Sequence, residues 1–312
     1  MLEAALILLI SLLLDQLIGE PRRFHPLVGF GWCVSKLELI MNQGRHRRLK
    51  GFLSVILLVM PFALLSLLGI QKIEISTELN WDPVWLVEII ILYLVIGRKS
   101  LMQHAEAIIK PLKSSDLETA RAKLSYIVSR DTGDLQQQGI IKATIESIIE
   151  NSSDAIFAAI FWYLIAGIPG VICYRLVNTL DAMWGYKNKR FITFGWAAAK
   201  IDDMMNWIPA RLTVFTFAIF GQFKRVYLTA FEQGALCSSP NAGPVMAAGA
   251  CSLNIKIGGE AFYQGQLISK PELGYGDAPQ VYNIKQAMKL VNKSVVLWVL
   301  TIFILSIIIE AL

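Results

Sequence analysis

Charged residues are scarce in this chain, at 17% of 312 residues, where soluble domains carry about a quarter. Mean hydropathy is correspondingly high, at +0.52. This excludes an ordinary soluble enzyme and points to a multi-pass membrane protein. Cysteine is rare as well. Cys33, Cys173, Cys237 and Cys251 show no CxxC spacing, which argues against a zinc site and reads as small buried or interfacial residues in a reducing setting. Only 3 histidines are present, and Ser, Cys and His form no triad-like grouping, so a nucleophilic site is not expected. There is no Walker A sequence and no GxGxxG, so any nucleotide needs an atypical pocket. No basic run is interleaved with aromatics, which leaves nucleic-acid binding without support. The N-terminal MLEAALILLISLLLDQLIGEP has neither a basic leader region nor a small-residue cleavage site, and predicts a retained anchor.

Long apolar runs are what the chain has instead. Residues 2–18, 52–70 and 294–312 are predicted to span, each near the roughly 20 residues a hydrocarbon core requires. Residues 83–97 form a weaker span. It carries Glu88, and a carboxylate at a helix centre costs on the order of 2.5–3.5 kcal/mol, so Glu88 is expected to face protein or the interface. Residues 155–174 and 207–223 are apolar but interrupted, the first by Gly167-Ile168-Pro169-Gly170 and the second by Pro209 and Arg211. Such breaks are tolerated at membrane depth only inside protein or beside a wet cavity.

Of the 29 Lys and Arg residues, only Lys72 falls between the second and third spans. The positive-inside rule then predicts that residues 98–293 stay cytoplasmic. The basic cluster Arg45, His46, Arg47, Arg48 and Lys50 reads as a cytoplasmic membrane flank. The predicted class is all-α and multi-pass, with four spans and six as the alternative. Residues 1–97 hold membrane helices, 98–293 a cytoplasm-facing core with two broken apolar segments, and 294–312 a last transmembrane helix. Within the core, residues 102–127 are predicted helical with breaks at Pro111 and Ser114-Ser115. Asp134 is expected to cap a helix running through Asp154. Residues 238–279 read as loop with short helices or turns.

The polar residues concentrate at 146–211, next to apolar sequence, where ionisable groups are costly and tend to be functional. Lys142, Glu146, Glu150 and Asp154 recur every fourth position and share a helix face. Two readings stand: a carboxylate row for a hard cation such as Mg²⁺, or a solvated face with a Lys142–Glu146 pair. Asp202 and Asp203 add carboxylates, and only one of two adjacent residues meets a shared ligand from a helix. Arg130, Asp131, Arg175, Asn178, Asp181, Lys187 and Arg211 supply cations, acids and amides of the kind that neutralise phosphates. Ser239-Pro240-Asn241-Ala242-Gly243 and Ile257-Gly258-Gly259 are candidate backbone cradles for an anion.

Laid out in order, these blocks resemble the cobalamin-biosynthesis CobD/CbiB family, the adenosylcobinamide-phosphate synthases. The resemblance covers nearly the whole chain: Asp15 with Gly19-Glu20-Pro21, His25-Pro26, SRDT at 129–132, ESIIENSSD at 146–154, YRLVNTLDAMWGYKN at 174–188, FGWAAAKIDDMMNWIPARLT at 194–213, SPNAG at 239–243 and IGG with its nearby tyrosine at 257–263. Pro244-Val245-Met246 departs from it, since relatives more often carry a Trp-Pro pair and an acid there.

The resemblance implies ATP-dependent amide formation between a propionate of adenosylcobyric acid and (R)-1-amino-2-propanol or its O-phosphate. It implies ATP and Mg²⁺ as cofactors, a corrinoid and an amino alcohol as partners, and the cell membrane as location with the active site facing the cytoplasm. A homo-oligomer, or association with other membrane-bound enzymes of the pathway, is compatible with it. On that basis Glu146, Glu150, Asp154, Asp202 or Asp203 are assigned to the metal. Arg130, Arg175, Lys187 and Arg211 are assigned to phosphates, with Gly243, Gly258 and Gly259 as cradles. Asp131 or Asp181 takes the ammonium proton, and Asn151, Asn178 and Asn241 orient substrate amides. Two rivals stand beside it: a transporter using the broken segments as a midplane site, and a sensor or signalling protein of the AmpE-like branch.

Overall fold

Proline and glycine mark a start and a bend among the helices of this protein, at Pro26 and Gly167. The structure, a computed structural model, describes residues 1–21, 25–76, 83–263 and 265–311. Arg22 and Arg23 of the first basic loop, and residue 312 at the end of the predicted last span, lie outside the described residues. The helices are α1 (Leu2–Ile18), α2 (Pro26–Met41), α3 (Arg47–Ser76), α4 (Pro83–Val95), α5 (Arg98–Lys113), α6 (Leu117–Leu124), α7 (Gln137–Ser152), α8 (Ala158–Trp184), α9 (Trp196–Met205), α10 (Trp207–Ile219), α11 (Phe223–Gly234), α12 (Ala242–Ser252) and α13 (Val281–Ala311). A π-helical turn, Ser153–Phe157, joins α7 to α8. Two antiparallel strands, β1 (Lys256–Tyr263) and β2 (Gln266–Gly274), form a hairpin.

The chain groups into two compact units. The first comprises Met1–Gly97, Ala158–Asn206 and Phe303–Leu312. There α3 and α9 pack against α8, and α1 packs against α4. Its core holds Phe30, Val34, Val55, Leu58, Leu180, Trp184 and Phe194. His25 starts α2 by accepting the Leu27 N–H on Nδ1, with Pro26 in the first helical position, where a missing N–H costs nothing. The bend expected in the first broken segment is present: Ala166 (φ −138°) and Gly167 (φ 59°) leave helical geometry inside α8. A left-handed φ there suits glycine.

The second unit comprises Arg98–Phe157 and Trp207–Ile302. Helices α10, α11 and α12 pack together, α12 also meets α7, and the hairpin lies on α7, α11 and α12. The composition of α12 (AGPVMAAGACS) permits this, since small side chains allow close helix approach. Asp116 caps α6 through the Thr119 N–H, as a short acidic side chain does at a helix start.

Three described helices are long and apolar enough to cross a membrane: Arg47–Gly69, Gln137–Trp184 and Val281–Ala311. The first and last cover residues 52–69 and 294–311 of the predicted spans 52–70 and 294–312. The middle one runs for 48 residues and contains the broken segment 155–174. At 17 and 13 residues, α1 and α4 are shorter. Leu53, Leu57, Leu64 and Leu68 on α3, and Leu300, Ile304 and Ile308 on α13, are exposed. Apolar faces of this extent mark contact with lipid or another apolar surface.

Four local expectations need correction. The hairpin departs from an all-α class, and it occupies much of the stretch expected to be loop with short helices or turns, of which α12 is one. Pro111 does not break α5. That helix runs on to Lys113, and the break falls at Ser115, which is left-handed (φ 59°). The helix expected from Asp134 starts at Gln137, with Gln136 as its cap position and no side-chain capping bond.

Candidate functional site

In the second unit α7 presents its polar face to the hairpin. Glu146 is buried and doubly committed. One carboxylate oxygen pairs with Arg130, and the other accepts the Gly258 N–H at 2.7 Å. The Arg130 side chain is only 11% exposed, and its Nε is buried without an acceptor. Burial lowers the Arg130 pKa, but the Glu146 carboxylate outweighs it, so the guanidinium is held more firmly charged than usual. Lys142 does not pair with Glu146. Its Nζ reaches the Gly258 carbonyl at 3.4 Å. The face is therefore an internal polar seam and not a solvated one.

Glu150 follows one turn later, within electrostatic reach of Lys270 and Arg130. Asp154 lies in the π-helical turn, which breaks the α-helical register of the row. Asn151 donates back to the Ser147 carbonyl and hydroxyl. Asp131 ties down the hairpin: its N–H donates to the Phe262 carbonyl at 2.8 Å, and its carboxylate accepts the Gly265 N–H at 2.7 Å.

The SPNAG turn is built internally. Arg211 lies over the Trp207 ring at 4.7 Å and donates to Asn241 Oδ1 and the Pro240 carbonyl. Ser239 Oγ accepts the Ala242 N–H at 3.2 Å at the start of α12. A Cβ on Gly243 would stand 2.5 Å from the Gly234 carbonyl oxygen, so Gly243 is a packing residue between α11 and α12 and not an open cradle. Gly258, also a predicted cradle, is blocked in the same way by the Pro271 carbonyl. Only Gly259 (φ 94°) leaves room, with Lys142 Nζ 3.8 Å from where a Cβ would lie.

The first unit holds a second polar group. Asp202 accepts the Asn178 amide on one oxygen at 3.2 Å and the Asn206 amide on the other at 3.0 Å. Tyr174 Oη donates to Asn206 Oδ1 at 3.0 Å, and Arg175 donates to Asn178 Oδ1 at 3.3 Å. Burial pushes the Asp202 pKa up to about 6, against the two amide bonds. Asp203 pairs with Lys200 at 3.7 Å, and Lys187 acts on it electrostatically. Asp181 is half-buried in the last turn of α8.

The predicted residues fall into three local groups. Arg130, Asp131, Glu146, Glu150, Gly258 and Gly259 meet at the hairpin, and Arg211, Asn241 and Gly243 meet at the SPNAG turn. Arg175, Asn178 and Asp202 form a network in the first unit. Residues that sequence reasoning left unassigned join them: Lys142, Tyr263 and Lys270 at the hairpin, Tyr174 and Asn206 beside Asp202. Among the described residues no group of three or more His, Cys, Asp or Glu is placed to hold a metal ion. A cavity of about 610 Å³, lined by Lys113, Gln137, Gln138, Tyr282 and Lys285 among others, contains none of the predicted residues; the bonding pattern at the hairpin is the better guide to chemistry.

The family described as CobD/Cbib protein matches residues 8–291. A cobalamin biosynthesis protein CobD of Stutzerimonas stutzeri is 48% identical over 294 residues, covering 94% of each chain. The protein of the same name from Chromobacterium violaceum is 46% identical over 306 residues, covering 95% of each. That from Halalkalibacterium halodurans is 34% identical over 304 residues, covering 95% of this chain and 94% of its own. No solved structure matches. End-to-end similarity of this kind, over every motif described above, means that the chain belongs to the CobD/CbiB family.

Proposed function

We propose that this chain acts in cobalamin biosynthesis as an ATP-dependent acid–amine ligase at the cell membrane, its site facing the cytoplasm. It joins a propionate of adenosylcobyric acid to (R)-1-amino-2-propanol or its O-phosphate. The observation that carries the reading is the family match across residues 8–291. The relatives' shared name supports the pathway, and the cation-rich seam at the hairpin supports phosphate chemistry.

A carboxylate is a poor acyl donor, so it must first be activated. Its oxygen attacks the terminal phosphorus of ATP, ADP departs, and an acyl phosphate remains. The amine nitrogen then attacks the carbonyl carbon, phosphate leaves with the C–O bonding pair, and a base takes the ammonium proton. Little of this needs a protein nucleophile. Positioning and charge stabilisation do most of the work.

In this reading Arg130 meets phosphate oxygens, aided by the space at Gly259. Asp131, beside the hairpin, takes the proton, its carboxylate also accepting the Gly265 N–H. Arg211, Asn241 and Gly243 shape the SPNAG turn instead of touching ligand. Mg²⁺ enters with ATP as part of the substrate. Ions of this kind are commonly held by one or two carboxylates and phosphate oxygens, and Glu150 is the carboxylate of the seam not committed to Arg130 or a backbone amide.

The bend in α8 also fits a transporter with a broken helix. One assay separates the readings. Purified protein in detergent is given adenosylcobyric acid, ATP with Mg²⁺, and either the free amino alcohol or its phosphate. The proposal expects an amide product by mass spectrometry with one ADP formed per product. Absence of product with both amines contradicts it.

A further inference from the structure

The hairpin register jumps between Gly258 and Gly259, so that Gly258 stands opposite Glu272 and Gly259 opposite Lys270. Directly paired residues of an antiparallel hairpin project from the same sheet face. The Gly259 side-chain position points toward Lys142 Nζ, 3.8 Å away. Lys270 therefore shares its face with Lys142. Tyr263, four residues beyond Gly259 on β1, shares that face as well. Its hydroxyl accepts a hydrogen bond from Lys270 Nζ, which also lies 4.7 Å from the Tyr263 ring centre. Arg130 lies within electrostatic reach of Tyr263, paired with Glu146 and retaining a buried Nε–H that no protein acceptor meets.

Donor counts then favour an anion. Arg130, Lys142 and Lys270 balance the carboxylates of Glu146, Glu150 and Asp131, and Asp131 is engaged by the Gly265 amide. Glu146 is saturated by Arg130 and the Gly258 amide. Each ammonium has three N–H donors, and the protein takes one from Lys142, at the Gly258 carbonyl, and one from Lys270, at Tyr263. The bulge supplies the space, since Gly259 carries no side chain beside Lys142 Nζ.

We propose that Lys142 and Lys270, with the unspent Nε–H of Arg130, form an oxyanion seat at the Gly259 bulge that takes a phosphate group. Tyr263 positions Lys270. Neither lysine has been assigned a role above. The seat deepens the ligase reading and rests on it only for the source of the phosphate, which is either ATP or the phosphorylated amino alcohol.

The test uses full-length protein in detergent, titrated calorimetrically at low salt with three probes in turn: a non-hydrolysable ATP analogue without metal, 1-amino-2-propanol O-phosphate, and inorganic phosphate. At least one probe should bind. Lys142→Gln and Lys270→Gln should each weaken it about tenfold or more, the size of a lost charge-assisted hydrogen bond. Lys270→Arg should retain most of the affinity, and Lys189→Gln, in the first unit, should bind like the parent. A label-based measurement on the parent protein avoids any folding defect: the bound probe should protect Lys142 and Lys270, but not Lys189, from acetylation. The probe that binds tightest names the source. No binding by any probe, or unchanged affinity in both glutamine variants, overturns the seat. So does acetylation of Lys142 and Lys270 that the probe leaves unaltered. Product formation in the ligase assay is read separately, so the seat can fail while that reading stands, and the reverse.

Discussion

Glu146 on α7 and Gly258 on β1 are joined by a 2.7 Å hydrogen bond from the glycine N–H to the carboxylate, across 112 positions of sequence. With the Arg130 pair on the other oxygen, this bond fixes the hairpin over the helix. It makes Glu146 an organiser of the seam, where the spacing of the acids had left it either a metal ligand or the partner of Lys142 on a solvated face.

Glu146→Gln should therefore be a structural lesion. The amide still accepts from Gly258, but Arg130 is left buried and unpaired. Removing one partner of a buried pair costs about 3–5 kcal/mol. A clear fall in thermal midpoint in detergent, with faster amide exchange across residues 256–263, is the expected result.

Glu150→Gln should separate from it. Glu150 feels Lys270 and Arg130 through charge, and its loss should leave the fold intact while product formation falls by about tenfold or more, on the scale of one lost charged contact to substrate. Equal activity of variant and parent would remove Glu150 from the site.

Asp202 gives a pH prediction. Its folded pKa is raised by burial to about 6, above the ordinary value near 4. Between about pH 4 and 6 the native state thus holds more protons than the unfolded chain, so this group's contribution makes stability fall as pH rises through that window. Asp202→Asn should abolish that slope. It should also lower stability at pH 5 and below by about 1–3 kcal/mol, because an amide N–H₂ then faces the donors of Asn178 or Asn206. Unfolding midpoints of both proteins from pH 4 to 7 check the two effects together.

Gly243→Ala should act through packing alone. Its Cβ would fall within 2.6 Å of the Gly234 carbonyl oxygen and Cys237 Cβ, and forcing such a contact costs about 1–3 kcal/mol. The thermal midpoint should drop, while the Michaelis constant for ATP in the surviving folded fraction should match the parent.

Much of the helical layout was legible because apolar runs, a Gly-Ile-Pro-Gly break and a Ser-Ser stop act locally. The hairpin was not. Its strands alternate weakly, β2 is mostly exposed, and the pairing partners that hold it, Glu146 and Asp131, lie more than a hundred residues away. Residue types at the site were legible in the same limited way. Acids and cations beside apolar sequence marked the region, but a one-dimensional pattern cannot show that Arg211 is spent on Asn241 or that Asp202 is held by two amides. Nor can it show that Lys270 comes to stand opposite Gly259, which follows only from the bulged register. The fourfold spacing from Lys142 to Asp154 assumed an unbroken α-helix, and the π-helical turn ended that assumption at Ser153.

The most direct measurement is amide formation by the purified protein from adenosylcobyric acid, ATP with Mg²⁺, and (R)-1-amino-2-propanol or its O-phosphate, with ADP release followed in parallel. The account predicts the corrinoid amide in step with ADP, and no product when ATP is withheld. A folded, full-length preparation that binds these substrates yet yields no amide with either amine would contradict it.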